Sequence, residues 1–279
     1  MRSQWECLLQ NLGCWQGSFT RLSTNGEILE NIPSETSLEL KEDQQTMRQV
    51  VRRTYGDGQP QDLVLEYRSL NKSTTFFENG AFSQGSLQFA PFTEFGAELG
   101  LICGDRRLRL VTLYDKASQL DRFTFIREHL PHVTTPERPP LTLDALLGKW
   151  EGEAITLASD WLVPEVSSTI TEWQKDRVRV IMSLLMQNSM GAKTITAIAK
   201  IDAINPQILH FDQDSLPTQT LFLPDGASVT CPQSISTRQP FRLSLSWLLE
   251  SNLHQRIIRA YDHTGEWTSL TLVTERKVG

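Results

Sequence analysis

The side chains with the clearest potential for chemistry lie near the end of the chain, in the segment Arg259-Ala260-Tyr261. Residues two apart on a β-strand point to the same face, so Arg259 and Tyr261 can converge on one ligand group. A guanidinium beside a phenol suits a carboxylate, because both donate hydrogen bonds to its oxygens. The alternative, which the pattern favours, is that the pair lies on a solvated outer face of a sheet.

Other kinds of site chemistry find little support in the sequence. The four cysteines and five histidines are scattered and do not have the spacings of zinc or redox sites. The cysteines are typical of small buried hydrophobes in a reducing compartment, so we expect a cytoplasmic location. Because no phosphate loop, dinucleotide fingerprint or Gly-x-Ser-x-Gly motif occurs, we predict no metal, no cofactor and no catalytic residue.

Charge and length exclude further classes of function. The net charge is −6, and neither half of the 279 residues is basic, so a nucleic-acid partner is not expected. No apolar run approaches the roughly 20 residues that a membrane-spanning helix requires. Nor does the chain open with the pattern of a secretory signal. The oligomeric state does not follow from the sequence.

An internal repeat organises the chain. The motif Leu-Gly-x-Trp-x-Gly occurs at residues 12–17 and again at 147–152, an offset of 135. Three later segment pairs follow in the same order, with offsets of 146 or 147: 76–81 with 222–227, 109–115 with 256–262, and 123–128 with 270–275. The sequence therefore predicts one unit that was duplicated with small insertions.

The boundary between the copies is marked by proline. Residues 131–140 include four prolines and lack apolar periodicity, as is typical of a semi-rigid linker. The predicted domains are thus 1–130 and 141–279. Each begins with a short apolar stretch of helical spacing and continues in alternating apolar and polar residues, such as 46–53 and 177–182. This pattern predicts an all-β protein of two tandem antiparallel up-and-down barrels, each with a short N-terminal helix.

A short helix, a Gly-x-Trp motif on the first strand and a β meander resemble the lipocalin-like (calycin) superfamily. The resemblance implies that Trp15 and Trp150 close the barrel floors, with Arg109 and Arg256 as their packing partners. The glycine after the tryptophan is more similar to the nitrobindin and cyanobacterial bilin-lyase branches. The duplicated layout resembles an uncharacterised cyanobacterial family of two calycin barrels. Haem binding is not carried over, since no histidine matches the ligand position.

The Arg259 and Tyr261 pair also resembles the Arg-x-Tyr pair of intracellular fatty-acid carriers. At the equivalent positions the first half has Thr112 and Tyr114, so a carboxylate grip is expected in the second barrel. We include Tyr114 with Arg259 and Tyr261 among the candidate ligand-binding residues.

Three functions remain open, in this order. The first is a binding module whose barrels hold a small hydrophobic or amphipathic ligand such as a pigment, tetrapyrrole or acyl chain. The second is a scaffold with filled barrels that recruits a protein partner. The third is an enzyme similar to the bilin chromophore lyases, for which Arg259 is the only positional support. The sequence thus favours a protein that is not an enzyme.

Overall fold

The computed structural model describes residues 2–56, 58–133, 136–159, 163–211 and 216–279. The predicted all-β class is confirmed: the chain forms a nine-stranded antiparallel sheet and a closed ten-stranded barrel. Two compact units are present, the first comprising 1–85, 96–112 and 122–136, and the second 86–95, 113–121 and 137–279. Segments 86–95 and 113–121, which the sequence prediction placed in the first half, therefore group with the second unit. Residues 134–135 of the predicted linker lie outside the described ranges.

The first half begins with a short helix, α1 (Gln4–Leu8), which continues as a 3-10 turn at Leu9–Asn11. Ser3 and Glu6 form a capping box at the start of α1, which satisfies two backbone N–H groups that a helix leaves free. The strands that follow are β1 (Gly13–Leu22), β2 (Ile28–Leu40), β3 (Met47–Thr54), β4 (Pro60–Tyr67), β5 (Thr74–Phe76), β6 (Phe82–Gly85), β7 (Phe95–Cys103), β8 (Arg106–Tyr114) and β9 (Leu120–His129). Their order in the sheet is β4-β3-β2-β1-β9-β8-β7-β6-β5.

The second half repeats this plan with one strand more. It begins with α2 (Leu143–Leu146), whose N-cap Thr142 accepts a hydrogen bond from the backbone of Ala145. The strands are β10 (Gly148–Ala158), β11 (Glu165–Asp176), β12 (Arg179–Asn188), β13 (Gly191–Ile201), β14 (Ile208–Phe211), β15 (Thr218–Phe222), β16 (Ala227–Pro232), β17 (Phe241–Glu250), β18 (Leu253–Tyr261) and β19 (Trp267–Val278). They pair in sequence, and β19 pairs with β10 to close the barrel.

The additional strand explains why the two sheets differ. The repeat offset of 146 aligns β5 with β15 and β6 with β16, so β14 has no counterpart among the described strands of the first half. There, residues 68–73 join β4 to β5 instead. In the second half β14 lies between β13 and β15. It pairs with β13 through two residue pairs and with β15 through four. The first half is consequently an open half-barrel with β4 and β5 as its edges, where the sequence led us to expect a closed barrel.

The repeated motif has the same local structure in both halves. The indole Nε1 of Trp15 donates to the backbone oxygen of Asn11 at 2.9 Å, and that of Trp150 to Leu146 at 2.7 Å. Both tryptophans are buried in the apolar cluster beneath their short helix. Each tryptophan thereby ties the start of its first strand to the helix before it.

Candidate ligand-binding site

A cavity of about 430 Å³ lies on the inner face of the first sheet, where β4 and β5 do not pair. Residues from both edges line it, together with Ser69, Leu70 and Asn71 of the connecting segment. Six apolar side chains contribute to its wall: Leu8, Leu38, Leu65, Leu70, Phe76 and Phe82. Its polar lining includes the side chains Asn11, Thr36, Gln49, Glu98, Arg107 and Arg109. The cavity is therefore amphipathic.

A buried ion network underlies the polar part of this cavity. The carboxylate of Glu128 is fully buried and accepts hydrogen bonds from Arg107 Nε at 2.8 Å and from Arg109 Nε and Nη2 at 2.9 Å. Arg109 also pairs with Glu98 through Nη1 at 2.7 Å. Two guanidinium groups thus balance two carboxylates, which keeps the buried charge neutral.

The network shifts the acidity of its members. Burial by itself raises the pKa of Glu128, but the adjacent charges of Arg109 and Arg107 outweigh it and lower that pKa to about 2. Burial likewise opposes the charged form of Arg109, and the two carboxylates nevertheless raise the pKa of Arg109 above its ordinary value. For Arg107 burial prevails, and its pKa is lowered. Glu128 is accordingly ionised at neutral pH, and Arg107 and Arg109 keep their charges because arginine is not deprotonated in proteins.

Two polar atoms at the cavity have hydrogen-bonding capacity to spare. Within the described ranges, Nη2 of Arg107 and Oγ1 of Thr36 are buried and have no hydrogen-bond partner. Because an unsatisfied buried polar atom costs about 1–3 kcal/mol, such atoms are uncommon in native interiors. Both residues line the cavity, so a ligand oxygen that reached these two atoms would satisfy them.

The arginine against Trp15 is not the one that the resemblance implied. The guanidinium of Arg107 lies 4.5 Å from the centroid of the Trp15 ring, whereas Arg109 lies over Phe19 at 5.4 Å. Arg107 and Arg109 share one face of β8, and both reach Glu128, so alternation alone does not distinguish them. In the structure, Arg107 is the one whose guanidinium meets the indole.

Trp150 has different neighbours from those expected. The Nζ of Lys277 lies 5.3 Å from its ring centroid, and the ring of His254 packs against it at 5.7 Å. Arg256 follows two residues after His254 on the same face of β18. The repeat aligns His254 with Arg107 and Arg256 with Arg109. In both halves, therefore, the residue that packs against the tryptophan lies two positions before the arginine that the resemblance implied.

Arg259 and Tyr261 do converge, but on a backbone group of the second unit. The Nε of Arg259 donates to the hydroxyl of Tyr261 at 2.7 Å, and both side chains donate to the carbonyl oxygen of Ser86. Arg259 is completely buried and also packs over Trp267 at 4.5 Å. Neither lies on a solvated face. A bound carboxylate would have to replace the Ser86 carbonyl, and this role stays a prediction.

Tyr114 has a matching environment. It is buried, and its hydroxyl donates to the carbonyl oxygen of Pro232 at 2.8 Å. Ser86 and Pro232 occupy equivalent repeat positions, as Tyr114 and Tyr261 do. Each tyrosine therefore binds the backbone carbonyl at the corresponding point of the other copy, and a ligand role for Tyr114 also stays a prediction.

The described residues include no group of three or more His, Cys, Asp or Glu side chains arranged to hold a metal ion. Among those same residues, no helix has the length and apolar character needed to cross a membrane.

Comparisons with known proteins place the chain in a family. Residues 1–133 match the family model described as "Domain of unknown function (DUF3598), N-terminal". Residues 137–278 match the model described as "Biogenesis factor required for ATP synthase 1, C-terminal domain". No curated protein matches the sequence.

Among solved structures, the chain is similar to a protein of unknown function from the DUF3598 family of Nostoc punctiforme PCC 73102. The two are 44% identical, the match covers 100% of both chains, and the TM-score is 0.92. The S-type phycobiliprotein lyase CPES from Guillardia theta is only 9% identical, with 49% of this chain and 90% of the lyase covered at a TM-score of 0.39. That second likeness is too low to carry an argument. The first shows that this chain belongs to the DUF3598 family.

Proposed function

We propose that the first unit is a binding module for a small amphipathic molecule, held in the cavity between β4 and β5. The observation that carries this proposal is the combination of an amphipathic cavity with two unpartnered polar atoms, Arg107 Nη2 and Thr36 Oγ1. A volume of about 430 Å³ lies within the range of small-molecule sites. It suits one acyl chain or a small ring system better than a large pigment.

The charge balance indicates what the polar end of the ligand should be. Arg107 and Arg109 already form ion pairs with Glu128 and Glu98, so a charged ligand group would find no unpaired charge to bind there. An uncharged acceptor, such as a carbonyl or hydroxyl oxygen, needs no such charge and can take the free N–H of Arg107. The apolar remainder would then lie against Leu38, Leu65 and Phe76.

Nile red, a neutral amphipathic dye with a carbonyl group, tests this proposal. Its fluorescence rises in apolar surroundings, so a titration gives a dissociation constant for the full-length chain. Leu65→Trp places a large side chain in the cavity, and we expect it to weaken binding by about tenfold or more, as lost shape complementarity would. The matched control is Val64→Trp on the same strand, because Val64 does not line the cavity and its side chain is already exposed.

The two substitutions separate a cavity site from binding elsewhere. Equal affinity in both variants, or an equal loss in both, would contradict the proposal. Thr36→Val adds a test of the polar contact, since it removes one unpartnered hydroxyl and keeps the shape of the side chain. We expect a smaller loss of affinity there, with the thermal stability unchanged or raised.

A second candidate function rests on the family model matched by residues 137–278, whose description names a biogenesis factor required for ATP synthase. It would make the second unit a docking module for a protein partner during assembly, in line with a scaffold. Size-exclusion chromatography with purified ATP synthase subunits tests it. We expect co-elution with an unassembled subunit and none with the complete enzyme, and the absence of any co-elution would count against the candidate.

A further inference from the structure

The closed barrel contains a second set of polar groups that the first site does not use. Glu275 lies on the inner face of β19 and is 1% exposed. One carboxylate oxygen, Oε1, accepts a hydrogen bond from the hydroxyl of Thr171. The other, Oε2, is buried and has no partner among the described residues. A buried carboxylate with only one hydrogen-bonded oxygen destabilises the fold, because an ionised oxygen loses more hydration on burial than a neutral one.

The neighbours of Glu275 are unpartnered as well. His254 stands directly opposite it on β18 and is 4% exposed, and its Nε2 has no partner in the described chain. Arg256 follows on the same face, opposite Val273, and its Nε and Nη2 are both buried without a described partner. Thr169, on the inner face of β11, has an unpartnered hydroxyl. Four side chains thus present unused polar atoms to one interior.

The first unit shows how the same positions can satisfy one another. Glu128 aligns with Glu275, and it is bound by Arg107 and Arg109. At those two positions the second unit has His254 and Arg256. Diagonal neighbours on paired strands have Cα atoms roughly 7–8 Å apart, within reach of a long side chain. Nevertheless, no ion pair between Arg256 and Glu275 occurs among the described residues, and both remain open to a third group.

The inner face of β18 becomes more exposed with distance from Trp150. Along β18 the inward-facing side chains pass from buried His254, beside Trp150, to Arg256, Ile258 and Ala260, which are partly exposed. A ligand would therefore approach Arg256 from the end opposite to Trp150, where this face of β18 is partly exposed. His254 is neutral, since burial and then the charge of Arg256 lower its pKa to about 3. Of His254 and Arg256, only Arg256 is therefore charged, and the nearby Lys277 donates to the backbone oxygen of Ala145.

We propose that the interior of the closed barrel binds a carboxylate that has a neighbouring O–H or N–H donor, as in a hydroxy acid or an amino acid. Nε and Nη2 lie on the same side of a guanidinium, and together they match the two oxygens of a carboxylate. The adjacent donor group would satisfy Oε2 of Glu275, and the hydroxyl of Thr169 adds a third contact. This site belongs to the second unit and does not depend on the cavity proposed for the first.

Saturation-transfer NMR on the full-length chain, with lactate as the probe, tests the proposal. Acetate supplies the carboxylate without the donor, and ethylene glycol supplies the donor without the carboxylate. We expect lactate to bind about tenfold or more tightly than either, because it alone uses both Arg256 and Glu275. Lactate binding that is absent, or no tighter than that of acetate, would overturn the assignment.

Substitutions locate the binding. Arg256→Met and Glu275→Gln should each weaken lactate binding by about tenfold, as the loss of a charge-assisted hydrogen bond would. The controls Arg276→Met and Glu250→Gln change exposed side chains of the same types in the same barrel, and should leave affinity unchanged. Equal effects in the site variants and the controls would contradict the proposal.

A third variant remains informative if those two do not fold. His254→Arg gives the second unit the residue that the first has at Arg107, so Glu275 gains a guanidinium partner from the protein itself. We expect this variant to unfold at a higher temperature than the natural chain and to lose lactate binding. Unchanged lactate affinity in a folded His254→Arg protein would show that Glu275 takes no part in recognition.

Discussion

At the scale of single residues, the Gly-x-Trp-x-Gly motif explains how a buried carboxylate is accommodated. Gly17 lies opposite Glu128, and Gly152 lies opposite Glu275. A Cβ on Gly17 would stand 1.9 Å from the carbonyl oxygen of Arg127, and one on Gly152 would stand 2.0 Å from that of Thr274. The motif thus combines an indole that closes the floor with a glycine that lets the last strand approach closely.

Gly17→Ala and Gly152→Ala should therefore each destabilise the fold. The clash is with backbone, which cannot turn away as a side chain can, so we expect a loss of about 2–3 kcal/mol in the free energy of unfolding. Urea denaturation followed by circular dichroism measures it. Gly56→Ala is the matched control, because no atom lies within 4 Å of the added carbon. A loss in the control equal to that of Gly17→Ala would refute the explanation.

Glu128 should make stability depend on acidity in a defined window. Its pKa is lowered from 4.5 to about 2 in the folded chain, so the unfolded chain takes up the proton first as pH falls. The stabilisation is complete above about pH 4.5 and is lost progressively towards pH 2. Chemical denaturation across this window should show a steeper fall for the natural chain than for Glu128→Gln.

The same variant has an effect at neutral pH. Glu128→Gln leaves Arg107 and Arg109 buried with one carboxylate between them, and we expect it to cost about 3–5 kcal/mol. Glu39→Gln, which disrupts an exposed pair with Arg48, should cost less than about 1 kcal/mol. A similar small loss in both variants would show that the buried network contributes little.

The residue scale also shows where sequence reasoning reaches its limit. The buried tryptophans follow from the repeated motif, but the buried glutamates do not, since a glutamate at a strand end is typical of a surface position. One signal was available: Glu128 and Glu275 occupy equivalent positions in β9 and β19, at an offset of 147. Which arginine meets Trp15 does not follow from local alternation either, because Arg107 and Arg109 lie on the same face of β8.

At the scale of secondary structure, the alternating pattern predicted the strands well, because each has one face against an apolar interior. It did not predict that β14 exists in one half alone. That strand has four residues and pairs with β13 through two residue pairs, so its sequence signal is weak. Its effect on topology is large nonetheless, since it decides whether β4 and β13 have one neighbour or two.

Hydrogen exchange should reveal this difference between equivalent strands. In β4, which pairs only with β3 among the described strands, alternate backbone N–H groups face away from the sheet and should exchange rapidly. In β13, slow exchange should extend to both sides near Lys200 and Ile201, where β14 pairs. Mass spectrometry of exchanged peptides provides the measurement. Uniform slow exchange along β4 would mean that its free edge is covered in solution.

At the scale of the whole molecule, the second unit draws on chain from both sides of the proline-rich segment. Segments 86–95 and 113–121 provide it with Phe95, Tyr114 and the carbonyl of Ser86. Phe95 packs against Tyr261 at 5.1 Å, and Phe241 stacks on Tyr261 at 4.7 Å. By their position in the sequence repeat these segments belong to the first copy, and the repeat alone does not predict their contribution to the second unit.

A fragment of residues 137–279 should accordingly be less stable than the same region in the full chain. Without Ser86, the buried Arg259 and Tyr261 lose a shared acceptor, and the apolar surface beneath Phe95 is exposed to water. We expect a lower unfolding temperature by calorimetry, together with increased fluorescence of added anilinonaphthalene sulfonate. An isolated fragment that melts at the temperature of the full chain would contradict this dependence.

The absence of a β14 counterpart from the first half has a consequence for how the two copies can diverge. Lengthening or shortening the connection after the fourth strand adds or removes a pair of free sheet edges, and it leaves the distant glutamate and tryptophan positions untouched. Access to the interior can then change by insertion or deletion in one surface loop, a kind of mutation that loops tolerate readily. The copies are thereby free to acquire different permeability to small molecules while the folding determinants of each are conserved.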